Sequence, residues 1–208
     1  MSGLRLMLVR HGETESNVRL ALDTVPPGPP LTDEGFRQAE RLGEDLAVEP
    51  VTAVYASRAL RAQLTAAPVA ARHDLDVEVL DGVHEVFVGD LEGASDLASL
   101  ARFAEVYAQW QEGDLGRAFP GGESGRQVVD RFLSVIDKLK TLHRTGTVVL
   151  VSHGAALRLV GGCLAENVTG SLANATHLPN TGRIVMSEDD AATSGWRCLE
   201  WTGHEISV

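Results

Sequence analysis

Cysteine is scarce: only Cys163 and Cys198 occur in 208 residues. Two thiols so spaced make neither a disulfide framework nor a zinc site. Cys163 falls on an apolar helical face, so a small buried hydrophobe is expected there. No apolar run approaches the ~20 residues that a bilayer-spanning helix needs. The first residues lack the long apolar stretch of a secretory signal, so a cytoplasmic protein is the default expectation. Positive charge is also in deficit. Eighteen Lys and Arg face 29 Asp and Glu, a net charge of −11. That balance argues against nucleic acid and anionic membrane as partners. It need not exclude an anionic substrate, because near, desolvated arginines outweigh distant, screened carboxylates. Repeats and low-complexity linkers are missing too. We therefore draw no domain boundary and read residues 1–208 as one domain. With 44% hydrophobic and 23% charged residues, the chain can bury an ordinary globular core.

What the chain does have is a pair of strand ends. Leu6-Met7-Leu8-Val9 is a short apolar run that stops at Arg10-His11-Gly12. A run of this length, closed by glycine, predicts a strand buried on both faces. Thr147–Val151 is a second, β-branched run, ending in Ser152-His153-Gly154, with a helical pattern from Ala155 to Val160. In an open α/β sheet, ligands bind just beyond the carboxyl ends of the strands. If the two strands are parallel neighbours, both imidazoles reach one crevice, beside the fixed cation of Arg10. One such end alone could equally be a polar turn at the surface; two in matching contexts point to a site.

Arg10-His11-Gly12-Glu13-Thr14 with the later Ser152-His153-Gly154 resembles the histidine phosphatase superfamily, also called the phosphoglycerate mutase-like family, and specifically its phosphatases. The resemblance runs along nearly the whole chain. It implies a three-layer α/β/α domain with a mostly parallel central sheet between helices. Asn17 stands where the family has a phosphate-contacting asparagine. Pro30-Leu31-Thr32-Asp33-Glu34-Gly35 with Gln38-Ala39 matches a family string. Physically it is a helix capped by Thr32, with acidic residues at its positive end and Phe36, Ala39, Leu42 and Leu46 as its apolar stripe. After the strand Thr52–Ala56, Arg61 begins the match to Arg-Ala-x-Gln-Thr-Ala, with Leu64 where the family has glutamine. Arg61 is thus the implied phosphate-binding arginine, and Arg58 a solvated neighbour. Glu85, Gly89, Leu91, Glu92 and Gly93 follow the family spacing, which makes Glu85 the implied acid/base residue. His84 has no counterpart in the pattern.

Other stretches carry less chemistry. Thr14 to about Leu20 reads as a short helix or irregular segment, and a short strand is expected near Val77–Val79. Val25-Pro26-Pro27-Gly28-Pro29-Pro30 cannot be regular structure, since proline fixes φ and removes donors. It is expected at the rim of the site. The preceding Asp23-Thr24 occupies a place where the family has small residues touching phosphate, and no role is carried onto either. Ser95 to about Glu112, with Leu97, Leu100, Ala101, Ala104 and Trp110, predicts one or two helices, and residues 94–119 a lid or specificity element. Pro120-Gly121-Gly122-Glu123-Ser124, another family string, precedes a helix with the stripe Val128, Phe132, Val135, Ile136, Leu139 and Leu142. Asn180-Thr181-Gly182 is a turn before strands at Arg183–Ser187 and Trp196–Trp201, which finish one side of the sheet.

The implied activity is hydrolysis of a small phosphorylated metabolite through a phosphohistidine on His11. Arg10, Arg61 and Asn17 hold the phosphate, His153 stabilises the transferring group and Glu85 moves the proton; no metal and no cofactor take part. Arginine suits the task because its planar fork matches phosphoryl oxygens and stays charged. Three rivals remain open. A mutase would return the phosphoryl group to a second hydroxyl of a phosphoglycerate. Against it, only Arg102 and Arg117 lie between Glu85 and Pro120, and Ala155 stands where mutases carry asparagine. A metal hydrolase could draw on His11, Glu13, His84, Glu85 and His153, though no His-Glu-x-x-His spacing occurs. A non-catalytic phosphate-binding module would lack one of the core residues, and all are present. The substrate and the oligomeric state are not legible.

Overall fold

In the computed structural model, which describes residues 3–168 and 177–206, the two His-Gly runs become adjacent strands. β1 (Leu4–Arg10) and β4 (Gly146–Ser152) pair in parallel, with Arg10 opposite Ser152. The His11 N–H continues the ladder to the Ser152 carbonyl at 3.0 Å. On the far side of β4 lie β2 (Val51–Ser57) and then β3 (Val77–Leu80), both parallel. Beyond β1 come β5 (Arg183–Glu188), β6 (Trp196–Trp201) and β7 (His204–Glu205), each antiparallel to its neighbour. The order β3-β2-β4-β1-β5-β6-β7 makes a mixed sheet with a parallel heart.

Alternation along β1 sends its side chains to two cores. Leu4, Leu6 and Leu8 join Val148, Leu150, Phe132, Ile136, Leu157 and Trp201, while Met7 and Val9 join Leu42, Leu46, Val69, Val149 and Val151. Helices cover both faces, which is why the parallel strands are apolar without interruption. α2 (Asp33–Leu46) and α3 (Leu60–Arg72) lie on one side; α4 (Leu97–Gln111), α5 (Gly125–Leu142) and α6 (Gly154–Leu164) lie on the other. α1 is a single turn, Glu15–Val18. Thr32 is the cap expected from sequence, its Oγ1 accepting from Gly35 N at 3.0 Å; Ser124, not singled out as a cap, forms a reciprocal box with Gln127. No described helix is long and apolar enough to cross a membrane.

Several apolar positions depart from expectation. Phe36 is 45% exposed and Leu142 is 70% exposed, although both lie on otherwise buried stripes. α4 is one helix, and its buried residues are Val106, Tyr107 and Trp110, while Leu97 is 86% exposed. Two apolar stripes at helical spacing compete on α4. The aromatic one, continued by Phe103, wins because it removes more area from water. Cys198 is buried in the core, but Cys163 is exposed, so the buried-hydrophobe reading of Cys163 is wrong. α6 buries Val160, Gly161 and Leu164 around it, and the Cys163 position rotates outward between them.

Candidate active site

Three adjacent parallel strands end at the same edge, and each delivers a polar side chain there. β1 supplies Arg10 and His11, β2 runs through Ser57 into the α3 turn that carries Arg61, and β4 runs into His153. α1 adds Asn17. The irregular segment after β3 adds Glu85. The resulting cavity, about 160 Å³, has Arg10, His11, Asn17, Arg61 and Glu85 in its wall, with Asp23 and Phe103 among its other lining residues. Of the six residues given catalytic or phosphate-binding roles, His153 is off this wall, buried behind His11 with the ring centroids 5.2 Å apart.

The tautomer of His11 follows from its partners. Nδ1 lies 2.7 Å from the Gly12 carbonyl, which can only accept, so Nδ1 carries the proton. Nε2 is then the unprotonated nitrogen, and its lone pair accepts from Arg61 Nε at 3.2 Å. Burial, reinforced by the charges of Arg61 and Arg10, holds the His11 pKa well below that of an ordinary histidine. The ring is neutral at pH 7, with Nε2 nucleophilic. Gly12 is required for this turn: a Cβ there would stand 2.8 Å from the Gly35 carbonyl oxygen.

His153 Nε2 lies 2.7 Å from Ser57 Oγ, which itself accepts from Ala59 N at 3.3 Å. Burial, then Arg61 and His11, push the His153 pKa well down, so it too is neutral. Arg10 Nη1 donates to the Leu178 carbonyl at 2.8 Å and meets His177 Nε2 at 3.0 Å. Arg61 Nη2 donates to the Asp23 carbonyl at 2.9 Å. Burial lowers the pKa of both guanidinium groups; Glu85 opposes this at Arg10, and Asp23 followed by Glu85 opposes it at Arg61. Arg10 Nε, Arg61 Nη1 and His153 Nδ1 are all buried with no hydrogen-bond partner. A buried donor without an acceptor is costly. Two of these residues, Arg10 and Arg61, stand on the cavity wall, which describes a place for an anion.

Asn17 Oδ1 accepts from Thr14 N and Asn180 Nδ2, both at 3.1 Å, which leaves the amide nitrogen as the end free for a ligand. Glu85 is set at the N-terminus of α6. Its Oε1 accepts from Ala156 N and Val86 N at 2.9 Å, and its Oε2 from Ala155 N at 3.2 Å. The helix dipole and these N–H groups fix the carboxyl in one orientation. Arg58 lies outside the site, exposed and 3.1 Å from Asp81. Among the described residues no three His, Cys, Asp or Glu side chains gather as a metal would need. In particular, Glu13 is turned to Thr32 Oγ1 at 2.8 Å.

The roles of Ser57, Asp23 and Glu92 escaped the sequence reading, as did the contact that the proline loop, expected at the rim, makes with Arg61. Ser57 orients His153, but a serine at a strand end carries no distinguishing signal. Asp23 enters the site, its Oδ1 3.7 Å from Arg61 Nη1 and its Oδ2 accepting from Ser16 at 2.7 Å. The proline loop lies against Arg61: Gly28 adopts φ +62°, and any Cβ there would overlap Arg61 Nη1. Glu92 anchors the start of that loop, accepting from Thr24 N at 2.8 Å, from Thr24 Oγ1, and from Val25 N at 3.3 Å. The unusual aspartate and the proline run were visible, but nothing in the sequence pointed them at Arg61.

Known proteins resemble this chain in sequence and in fold. The profile of the histidine phosphatase superfamily (branch 1) matches residues 6–202. Phosphoserine phosphatase 1 of Hydrogenobacter thermophilus is 31% identical over 159 residues, covering 74% of this chain and 73% of that protein. The probable phosphoglycerate mutase GpmB of Salmonella choleraesuis is 30% identical over 199 residues, 95% of this chain and 90% of that one. A mycobacterial glucosyl-3-phosphoglycerate phosphatase, solved with VO3, superposes with a TM-score of 0.82 at 25% identity, covering 96% of this chain and 99% of the other. With nearly its full length inside the family profile, and with the two His-Gly strand ends side by side, the chain belongs to the histidine phosphatase superfamily, branch 1.

Proposed function

We propose that this chain is a metal-independent phosphomonoesterase that hydrolyses a small phosphorylated metabolite through a phosphohistidine on His11. The observation that carries the reading is the neutral His11 ring on the cavity wall, its Nδ1–H tied to Gly12 and its Nε2 lone pair held by Arg61 Nε, beside buried arginine nitrogens that have no hydrogen-bond partner. Phosphoryl transfer needs positioning and charge stabilisation above all. Arg10, Arg61 and the Asn17 amide hold the phosphoryl oxygens, and His153, in the tautomer whose Nε2 accepts from Ser57 Oγ, donates to them through Nδ1–H as charge develops. His11 Nε2 forms the N–P bond as the ester P–O bond breaks, and Glu85 gives its proton to the departing oxygen. Glu85, now ionised, takes a proton from water; the water oxygen attacks phosphorus, the N–P bond breaks, and phosphate leaves with His11 and Glu85 restored.

The same reading takes residues 1–208 as one domain and residues 94–119 as the wall that meets the leaving group. Phe103 of α4 lines the cavity, stacked between Tyr107 and Phe119 with centroid distances of 5.6 and 5.4 Å. The test is phosphate release from p-nitrophenyl phosphate across pH 5 to 8, with and without chelator. Chelator-resistant turnover that disappears in His11→Ala is the expected result; a variant that keeps its rate would refute the covalent route. A second reading, mutase-type transfer, is favoured by the likeness to the probable mutase. Interconversion of 2- and 3-phosphoglycerate without phosphate release would establish it.

A further inference from the structure

Glu85, the acid/base residue of the reading above, sits in a segment with no regular secondary structure, residues 81–88, between β3 and α4. Such a segment has no ladder to satisfy its backbone, so its polar groups need other partners. They converge on one side chain from α5, Arg131. Its Nη1 donates to the carbonyls of Gly82 and His84, both at 2.8 Å, and its Nη2 to the carbonyl of Glu85 at 3.0 Å. The remaining donors form a fork on Glu123: Nε to Oε1 at 2.8 Å and Nη2 to Oε2 at 3.0 Å. All five N–H donors of a guanidinium are thereby used. Glu123 also takes the Phe87 N–H at 2.9 Å, and its own backbone N–H donates to the Phe87 carbonyl at 2.8 Å. Ser152 Oγ, beside His153, ties down the Val83 carbonyl at 2.8 Å.

We infer that Arg131 and Glu123 are positioning residues for proton transfer, acting as a clamp that sets the backbone of residues 82–87 so that the Glu85 carboxyl meets the leaving oxygen. The inference rests on the assignment of Glu85 as the acid. Neither side chain lines the cavity, so neither touches substrate. Their pair is nearly buried, with side chains 14% and 16% exposed, and so keeps more strength than a surface ion pair. Lysine cannot reproduce the clamp: an ammonium has three donors and no planar fork.

A positioning role for proton transfer makes a prediction that a merely structural role does not. A p-nitrophenolate leaves without much help from an acid, whereas a benzyl alkoxide needs the proton. In Arg131→Lys, kcat/KM for benzyl phosphate should fall ~10- to 100-fold, the scale of a misplaced catalytic group, while that for p-nitrophenyl phosphate falls at most about 3-fold. Competitive inhibition by inorganic phosphate, which depends on Arg10 and Arg61, should hold. Glu123→Gln keeps the guanidinium and its three carbonyl bonds; it should shift the same ratio in the same direction by less, and it provides the reading if the lysine variant does not fold. Glu85→Gln is the reference. If it shows the leaving-group dependence and the clamp variants lose both substrates equally, the clamp inference is overturned. If Glu85→Gln itself loses both equally, the fault lies in the assignment of the acid.

Discussion

Replacing Gly28 by alanine tests whether the proline loop sets Arg61. The substitution adds one methyl group at φ +62°, where it would overlap Arg61 Nη1 and stand 3.3 Å from Asp23 Oδ1. Left-handed backbone costs an L-residue roughly 1–2 kcal/mol, and the stiffer unfolded chain returns about 0.4–1 kcal/mol of that. A net loss near 1 kcal/mol lowers the melting temperature by about 2–4 °C for a chain of this size. The effect on rate should be larger. The obstructing atom is the end of a flexible side chain, so the clash is relieved by moving the guanidinium away from His11 Nε2 and the phosphoryl group. Full loss of one such electrostatic donor costs ~100- to 1,000-fold, about 2.7–4 kcal/mol. A displaced Arg61 should lose a large part of that, ~10- to 100-fold in kcat/KM for p-nitrophenyl phosphate. The double variant isolates the cause. If the methyl group acts through Arg61, then adding Gly28→Ala to Arg61→Ala changes the rate by no more than about 2-fold, the two effects being coupled rather than additive. Full additivity, or a Gly28→Ala enzyme with the parent rate, would refute the argument.

Two further outcomes follow from burial. His11 and His153 are held neutral in the folded protein, yet they protonate in the unfolded chain below an ordinary pKa of about 6.5. The unfolded state therefore binds more protons as pH falls. The stability is fully present above that value and is lost as pH drops toward the depressed folded-state pKa, at about 1.4 kcal/mol per pH unit for each ring. Urea unfolding at pH 6.5, 6 and 5 should show His153→Asn flattening the slope by about that amount; an unchanged slope would mean that the ring is charged in the folded state. By contrast, Leu97→Ser at the exposed start of α4 should alter stability by no more than ~0.5 kcal/mol, measured the same way, because that leucine stays in solvent despite its spacing.

The strand ends at His11 and His153 and the cap at Thr32 were legible because each depends on a local pattern: side-chain period, a glycine stop, an oxygen three residues before an N–H. Spacing alone could not rank two stripes on one helix. Leu97 and Leu142 look like core because period reports a direction, not whether anything stands in that direction. Cys163 failed for the same reason, since α6 is apolar almost all round and only its packing decides which face is covered.

The amino-acid sequence by itself determined the sheet-and-helix alternation and the two histidines at strand ends, because these follow from residue type and short spacing; Arg61 and Glu85 were named only through the family resemblance. Only the tertiary structure decided what holds them. Arg131 meets carbonyls 46 to 49 residues earlier, Glu92 anchors a loop 68 residues away, and Gly28 rests on Arg61 across 33 residues of chain. Those contacts join atoms of ordinary types whose meeting depends on strand order and helix placement. No local propensity encodes them, and they are what turns five polar side chains into one aligned site.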